Sequence, residues 1–97
     1  MLIEKQISEG SVVTLKLTTG EELIAKYVEG TPNTIKVGRP CILVMSQKGI
    51  ALSPYLLTVD PKKDLEISRH VVVIMTQTDK DFADQYIQQT TGITIAR

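Results

Sequence analysis

Among its 97 residues the chain has no tryptophan, one phenylalanine, one cysteine and one histidine. Each scarcity removes a class of chemistry. Cys41 alone cannot form an internal disulfide and has no second cysteine with which to build a thiolate metal site, so a buried small hydrophobe in a reducing compartment is expected. With His70 as the sole histidine, no Ser-centred elbow, no phosphate-cradling Gly loop and no acid–base carboxylate pair, the sequence offers no catalytic constellation and no cofactor site. Asp79, Asp81 and Asp84 lack the Gly and distal Glu of a calcium loop, and the start of a helix already accounts for acidic residues there. No metal is expected.

Charge of one sign is missing too. Eleven basic and eleven acidic side chains cancel, so no global field draws the chain to nucleic acid or anionic lipid, and any such binding has to come from local clusters. No apolar run approaches the ~18–20 residues that span a bilayer, and the opening MLIEKQISEG has neither a basic nor a long apolar signal region. A cytosolic protein with no membrane attachment is predicted.

What the sequence does have is alternation. Residues 11–29, SVVTLKLTTGEELIAKYVE, place Val13, Leu15 and Leu17 on one face and Thr14, Lys16 and Thr18 on the other, the period of two of a half-buried strand. Leu23, Ala25 and Tyr27 continue the apolar face after a turn around Thr19 and Gly20, which predicts a β-hairpin. The segment before it, residues 1–10, fits either a short helical turn or an extended arm. After a loop at Gly30-Thr31-Pro32-Asn33, a third strand is expected from Thr34, with a bulge or bend at Gly38 and Pro40. Lys48 and Gly49 mark a turn into a fourth extended run over residues 50–59, placed at an edge by Pro54. A polar turn over residues 60–64 leads to a fifth strand over residues 65–75, whose VVVIM end is apolar on both faces and so suits a small barrel or an assembly.

The period then changes. Thr78 can cap a helix over residues 79–91, with Asp81 in the capping-box position, a stripe of Phe82, Ala83, Tyr86 and Ile87, and Gly92 to end it. The residues thus predict an all-β fold, a small, strongly bent, five-stranded antiparallel sheet or barrel with a C-terminal α-helix, and no internal domain boundary. SH3-like and OB-like barrels fit equally well.

The segment VVTLKLTTGEELIAKYVEGTPN resembles the first signature of the Sm-like (LSm) family: an alternating strand, a polar residue and Gly, a second alternating strand and a loop ending in Asn. ISRHVVVIM resembles the end of the bacterial host factor Hfq, where a basic residue and a His separate the last two strands. The layout is similar to that of small Sm-like proteins of tailed phages. Ala25 stands where the family usually has a second Gly, and Ser68-Arg69-His70 replaces the Arg-Gly pair of the eukaryotic second signature. The resemblance implies one Sm-like domain over residues 1–97, with the barrel over about residues 11–76, assembled into a cytoplasmic homo-oligomeric ring of roughly five to seven subunits through edge strands.

The same resemblance implies single-stranded RNA as partner, bound at pore-side loops by stacking and base-edge hydrogen bonds. Asn33 would read a base edge, Arg69 would stack on a base or hold phosphate, and His70 would add a donor. Each has a plainer reading: Asn33 satisfying a turn, Arg69 a solvated or interface charge, His70 a structural hydrogen bond. Tyr27 and Tyr55 serve as core or interface filler, and Lys62 and Lys63 are neutralised by Asp60 and Asp64. The alternative function is a structural or adaptor oligomer that docks another protein and binds no nucleic acid. Whether Arg69 and His70 sit on a turn or within one continuous fifth strand is left open by the sequence.

Overall fold

A computed structural model describes residues 2–3 and 7–91. Among these the elements run β1 (Leu2–Ile3), β2 (Val12–Leu17), β3 (Glu22–Gly30), β4 (Thr34–Ser46), β5 (Gly49–Pro54), β6 (Asp64–Ser68), a 3-10 turn (Arg69–Val71), β7 (Val72–Gln77) and α1 (Lys80–Thr91). The strands form one sheet in the order β1-β7-β2-β3-β4-β5, with β6 also on β4. Every pairing is antiparallel except that of β1 with β7. The chain is therefore mostly antiparallel β-sheet with one C-terminal helix.

The hairpin lies where the alternation puts it. Val13 pairs with Ala25 and Leu15 with Leu23, and all four are fully buried. Gly20 turns the chain at a φ of 100°, the left-handed region that glycine enters without steric cost. Its amide donates to the Leu17 carbonyl at 2.9 Å, closing the turn.

β4 is the strand that distributes the sheet. Between the pairs Ile24–Cys41 and Lys26–Gly38 the single residue Ala25 faces two, Arg39 and Pro40, which is a β-bulge. Pro40 has no amide to give to the ladder, and Arg39 takes a φ of 48°, uncommon for a residue with a side chain. Before the bulge β4 pairs with β6 (Thr34–Ser68 through Gly38–Asp64). After it the strand pairs with β5 (Cys41–Pro54 through Ser46–Gly49). The bulge and the proline at an outer strand were both legible as a break in the sequence pattern.

Two apolar layers result. One face of the sheet holds Val13, Leu15, Leu17, Leu23, Ala25, Ile35, Val37, Val72 and Met75, flanked by the half-buried Tyr27, Tyr55 and Ile67. The other face carries Ile24, Cys41 and Leu52, and α1 covers them with Tyr86, Phe82 and Ile87. Burying a side chain of this size is worth roughly 1.5–3 kcal/mol, so the helical stripe accounts for the docking of α1. Three polar contacts fix its position. Tyr86 Oη shares its hydrogen between the carbonyls of Gly38 (3.0 Å) and Arg39 (2.9 Å), Gln89 Nε2 donates to Leu52 O (2.6 Å), and an Arg39 guanidinium Nη1 donates to Thr90 O. The last contact puts a cation at the helix C-terminus, where the backbone dipole favours it.

Several expectations are corrected. Seven strands are present among the described residues rather than five, because residues 65–75 break at Arg69–Val71 and Leu2–Ile3 adds a strand. Residues 1–10 are thus extended at Leu2–Ile3, and the intervening residues 4–6 lie outside the described residues. The fourth run stops at Pro54, and residues 55–63 are irregular. In VVVIM only Val72 and Met75 are buried, whereas Val71, Val73 and Ile74 are exposed on the single chain. The helix starts at Lys80, and Asp79 rather than Thr78 opens it: the Asp79 carbonyl accepts from Ala83 N (2.9 Å), while Thr78 Oγ1 bonds Thr14 Oγ1 at 2.9 Å. Gly92 lies outside the described residues.

Candidate functional site

The β3–β4 loop is built on a threonine. Thr31 Oγ1 accepts the amides of Asn33 (3.2 Å) and Thr34 (2.9 Å), and the Thr31 amide donates to Thr34 O at 2.9 Å. Such a hydroxyl takes the place of a backbone acceptor and fixes a tight loop. Asn33 is thereby held at the tip with its side chain exposed.

The second part is the 3-10 turn between β6 and β7. Ser68 Oγ accepts the His70 amide at 3.2 Å and caps the turn. Arg69 and His70 therefore lie on a turn and not within a strand, the point that the sequence left open. Two long-range bonds set the turn in place: Thr18 N donates to Val71 O (2.8 Å), and Arg69 N donates to Asn33 O (2.9 Å). The 3-10 turn thus meets both the tip of the β2–β3 hairpin and the β3–β4 loop, which lie at opposite ends of β3, and the turn and the β3–β4 loop carry all three predicted residues.

Their side chains differ in freedom. Arg69 is half-buried, and its Nε donates to Thr31 O, so the guanidinium lies back along the loop. It abuts Gly30, where an added Cβ would come within 2.5 Å of Arg69 Nη2 and 2.9 Å of Tyr27 Oη. A glycine at this position makes room for the arginine. The His70 ring is exposed. Chemically the cluster offers an amide, a cation with remaining N–H donors and an imidazole, groups able to read base edges or hold an anion.

Elsewhere, Asp84 is buried and paired with Lys80 at 2.8 Å on the same helix. Cys41 is buried, and desolvation pushes its thiol above the ordinary range. No helix of the described residues is long and apolar enough to cross a membrane.

Sequence reasoning missed one feature. A cleft of about 360 Å³ opens where the β4 bulge, the end of β5, the 55–63 segment and the last turn of α1 meet, and Arg39, Lys62 and Lys63 lie on it. The only signals in the sequence were the Gly38-Arg39-Pro40 break and the Lys62-Lys63 pair, and nothing in the order of residues brings them together. The chain matches no protein-family model and no curated protein, so its function is read from residues and geometry.

Proposed function

We propose that the chain is an Sm-like subunit that binds single-stranded RNA at the Asn33, Arg69 and His70 turns. In this reading β6-β4-β3-β2-β7 form a small barrel, its two end strands joined by the 3-10 turn. Copies pair through edge strands into a ring of roughly five to seven, which removes the unpaired backbone groups of an open sheet. The repeated turns then line a pore and take one base each by stacking and edge hydrogen bonds.

The observation that carries this reading is the bond from Arg69 N to Asn33 O at 2.9 Å. It joins the two segments whose residues resemble the family's two signatures, although they are far apart in sequence. The test is a fluorescence-anisotropy titration with labelled U-rich and A-rich RNA at low and moderate salt. Saturable binding with a base preference that persists at moderate salt is expected. Binding that is absent, or that vanishes with salt as phosphate-only contacts do, rejects it.

A second reading is an adaptor oligomer that docks a protein and binds no nucleic acid. The β4–β5 hairpin favours it, because Val44, Met45 and Ile50 are exposed at its end, Met45 to 80%. The absence of net charge supports it as well.

A further inference from the structure

We propose that the cleft between the β4 bulge and the end of α1 is a binding site for a small aliphatic carboxylate. The body of such a ligand is set by the walls. Pro40, Pro54, Leu56, Val59 and Leu65 line the cleft, and no aromatic side chain does. A nucleobase or other flat ring would find no stacking partner there, whereas an alkyl chain needs only apolar contact.

Its head group is set by charge. Arg39, Lys62 and Lys63 face the cleft against one carboxylate, Asp60, in a chain whose formal charges cancel as a whole. Asp60 is turned into its own loop: Oδ1 accepts the Lys62 amide at 2.9 Å, and the Asp60 carbonyl accepts the Lys63 amide at 3.0 Å. Asp64, the other acidic neighbour, lies against Gly38, where an added Cβ would sit 3.1 Å from Oδ1. Among the described residues the ion pairs are Lys36–Glu29 and Lys80–Asp84, so neither lysine of the cleft is in one. The local neutralisation expected from sequence is not made by contact.

Arg39 is the fixed element. Its φ of 48° and its Nη1 bond to Thr90 O hold the guanidinium at the rim. The strand bulge fixes this backbone in the left-handed region, so the side chain leaves β4 from a set position. One of its five N–H donors is used, and the planar fork that remains matches a carboxylate. Size agrees: at the roughly 30 Å³ that a water-sized group occupies in a liquid, the cleft holds about a dozen heavy atoms, the size of decanoate. The site is separate from Asn33, Arg69 and His70 and does not depend on the RNA reading.

The test is calorimetric titration of the full chain with decanoate below its micellar concentration, with decanol and acetate as the neutral and headgroup-only comparisons. Decanoate should saturate at one site per chain, with the other two at least about tenfold weaker. Lys62→Ala with Lys63→Ala, on an exposed loop, should weaken decanoate by about fivefold to tenfold. Arg39→Gly, which keeps the left-handed backbone, should do the same, and Arg69→Ala should change nothing. No saturable decanoate binding, equal binding of decanol, or unchanged affinity in both cleft variants overturns the proposal.

Discussion

Tyr86 reaches through the outer apolar layer to place its hydroxyl between the carbonyls of Gly38 and Arg39, at 3.0 and 2.9 Å. The residue joins the helix to the strand bulge at the point where β4 changes partner from β6 to β5. Tyr86→Phe removes only the hydroxyl and should cost about 1 kcal/mol, the net worth of a hydrogen bond. Tyr86→Ala also opens a cavity and should cost about 3–5 kcal/mol. Urea unfolding of the two variants checks the difference. Equal losses would mean that the hydroxyl and not the ring holds the helix.

Arg69→Ala should lower RNA affinity by about tenfold or more, the worth of a stacked or charge-paired base contact, with oligomer size unchanged. Gly30→Ala reaches the same side chain from beneath. The new Cβ collides with the far end of a flexible arginine and with Tyr27 Oη on a ring packed against the core, so both side chains have to move, and RNA affinity and thermal stability should both fall. Affinity equal to that of the parent in both variants would move the site away from this turn.

The hairpin was readable because its burial alternates and Gly20 closes it, and the helix because its stripe follows a helical period behind acidic residues. The break at Arg69 was not readable from local sequence. Residues 65–75 contain no glycine or proline, and the turn is set by Ser68 Oγ together with bonds to Asn33 O and from Thr18 N, contacts that exist only once the sheet has formed. The helix start was missed by one residue for a similar reason, since Thr14 takes the hydroxyl that would have capped it. The three candidate residues were named from the resemblance, whereas the cleft at Arg39 arises from four separated segments and leaves no local signal.

Stability should fall in alkali. Burial pushes the Cys41 thiol and the Tyr86 phenol above their ordinary values of 9.0 and 10.0. As pH rises the unfolded chain therefore loses these protons first, the native state holds the excess, and the unfolding free energy declines. The contribution is fully present below about pH 9 and is lost above it. Cys41→Ala should delay the onset toward the tyrosine range. Urea unfolding between neutrality and strong alkali measures this, and a flat profile would contradict it.

β1 occupies the outer side of β7 at Ile74 and Met75, an edge that the proposed ring would use. Light scattering at micromolar concentration should give an oligomer of roughly five to seven copies. Deleting residues 1–3 should let the same size form at lower concentration, because an incoming strand no longer has to displace β1. A monodisperse monomer with and without these residues rejects the ring.

Leu23, Ile24 and Ala25 are buried in succession, since the core covers one side of β3 and the helix the other. Over this stretch a shift of β3 by one residue would exchange one apolar side chain for another on each face, so solvent exposure penalises slippage only weakly. Alignment must come instead from the Gly20 turn at one end and the two-against-one mismatch at Arg39 and Pro40 at the other. The bulge thus acts as the strand's index mark: a chain from which Arg39 is deleted would set Ala25 against Pro40 alone, keeping the pairs on either side in step while removing the kink at which β4 changes partner.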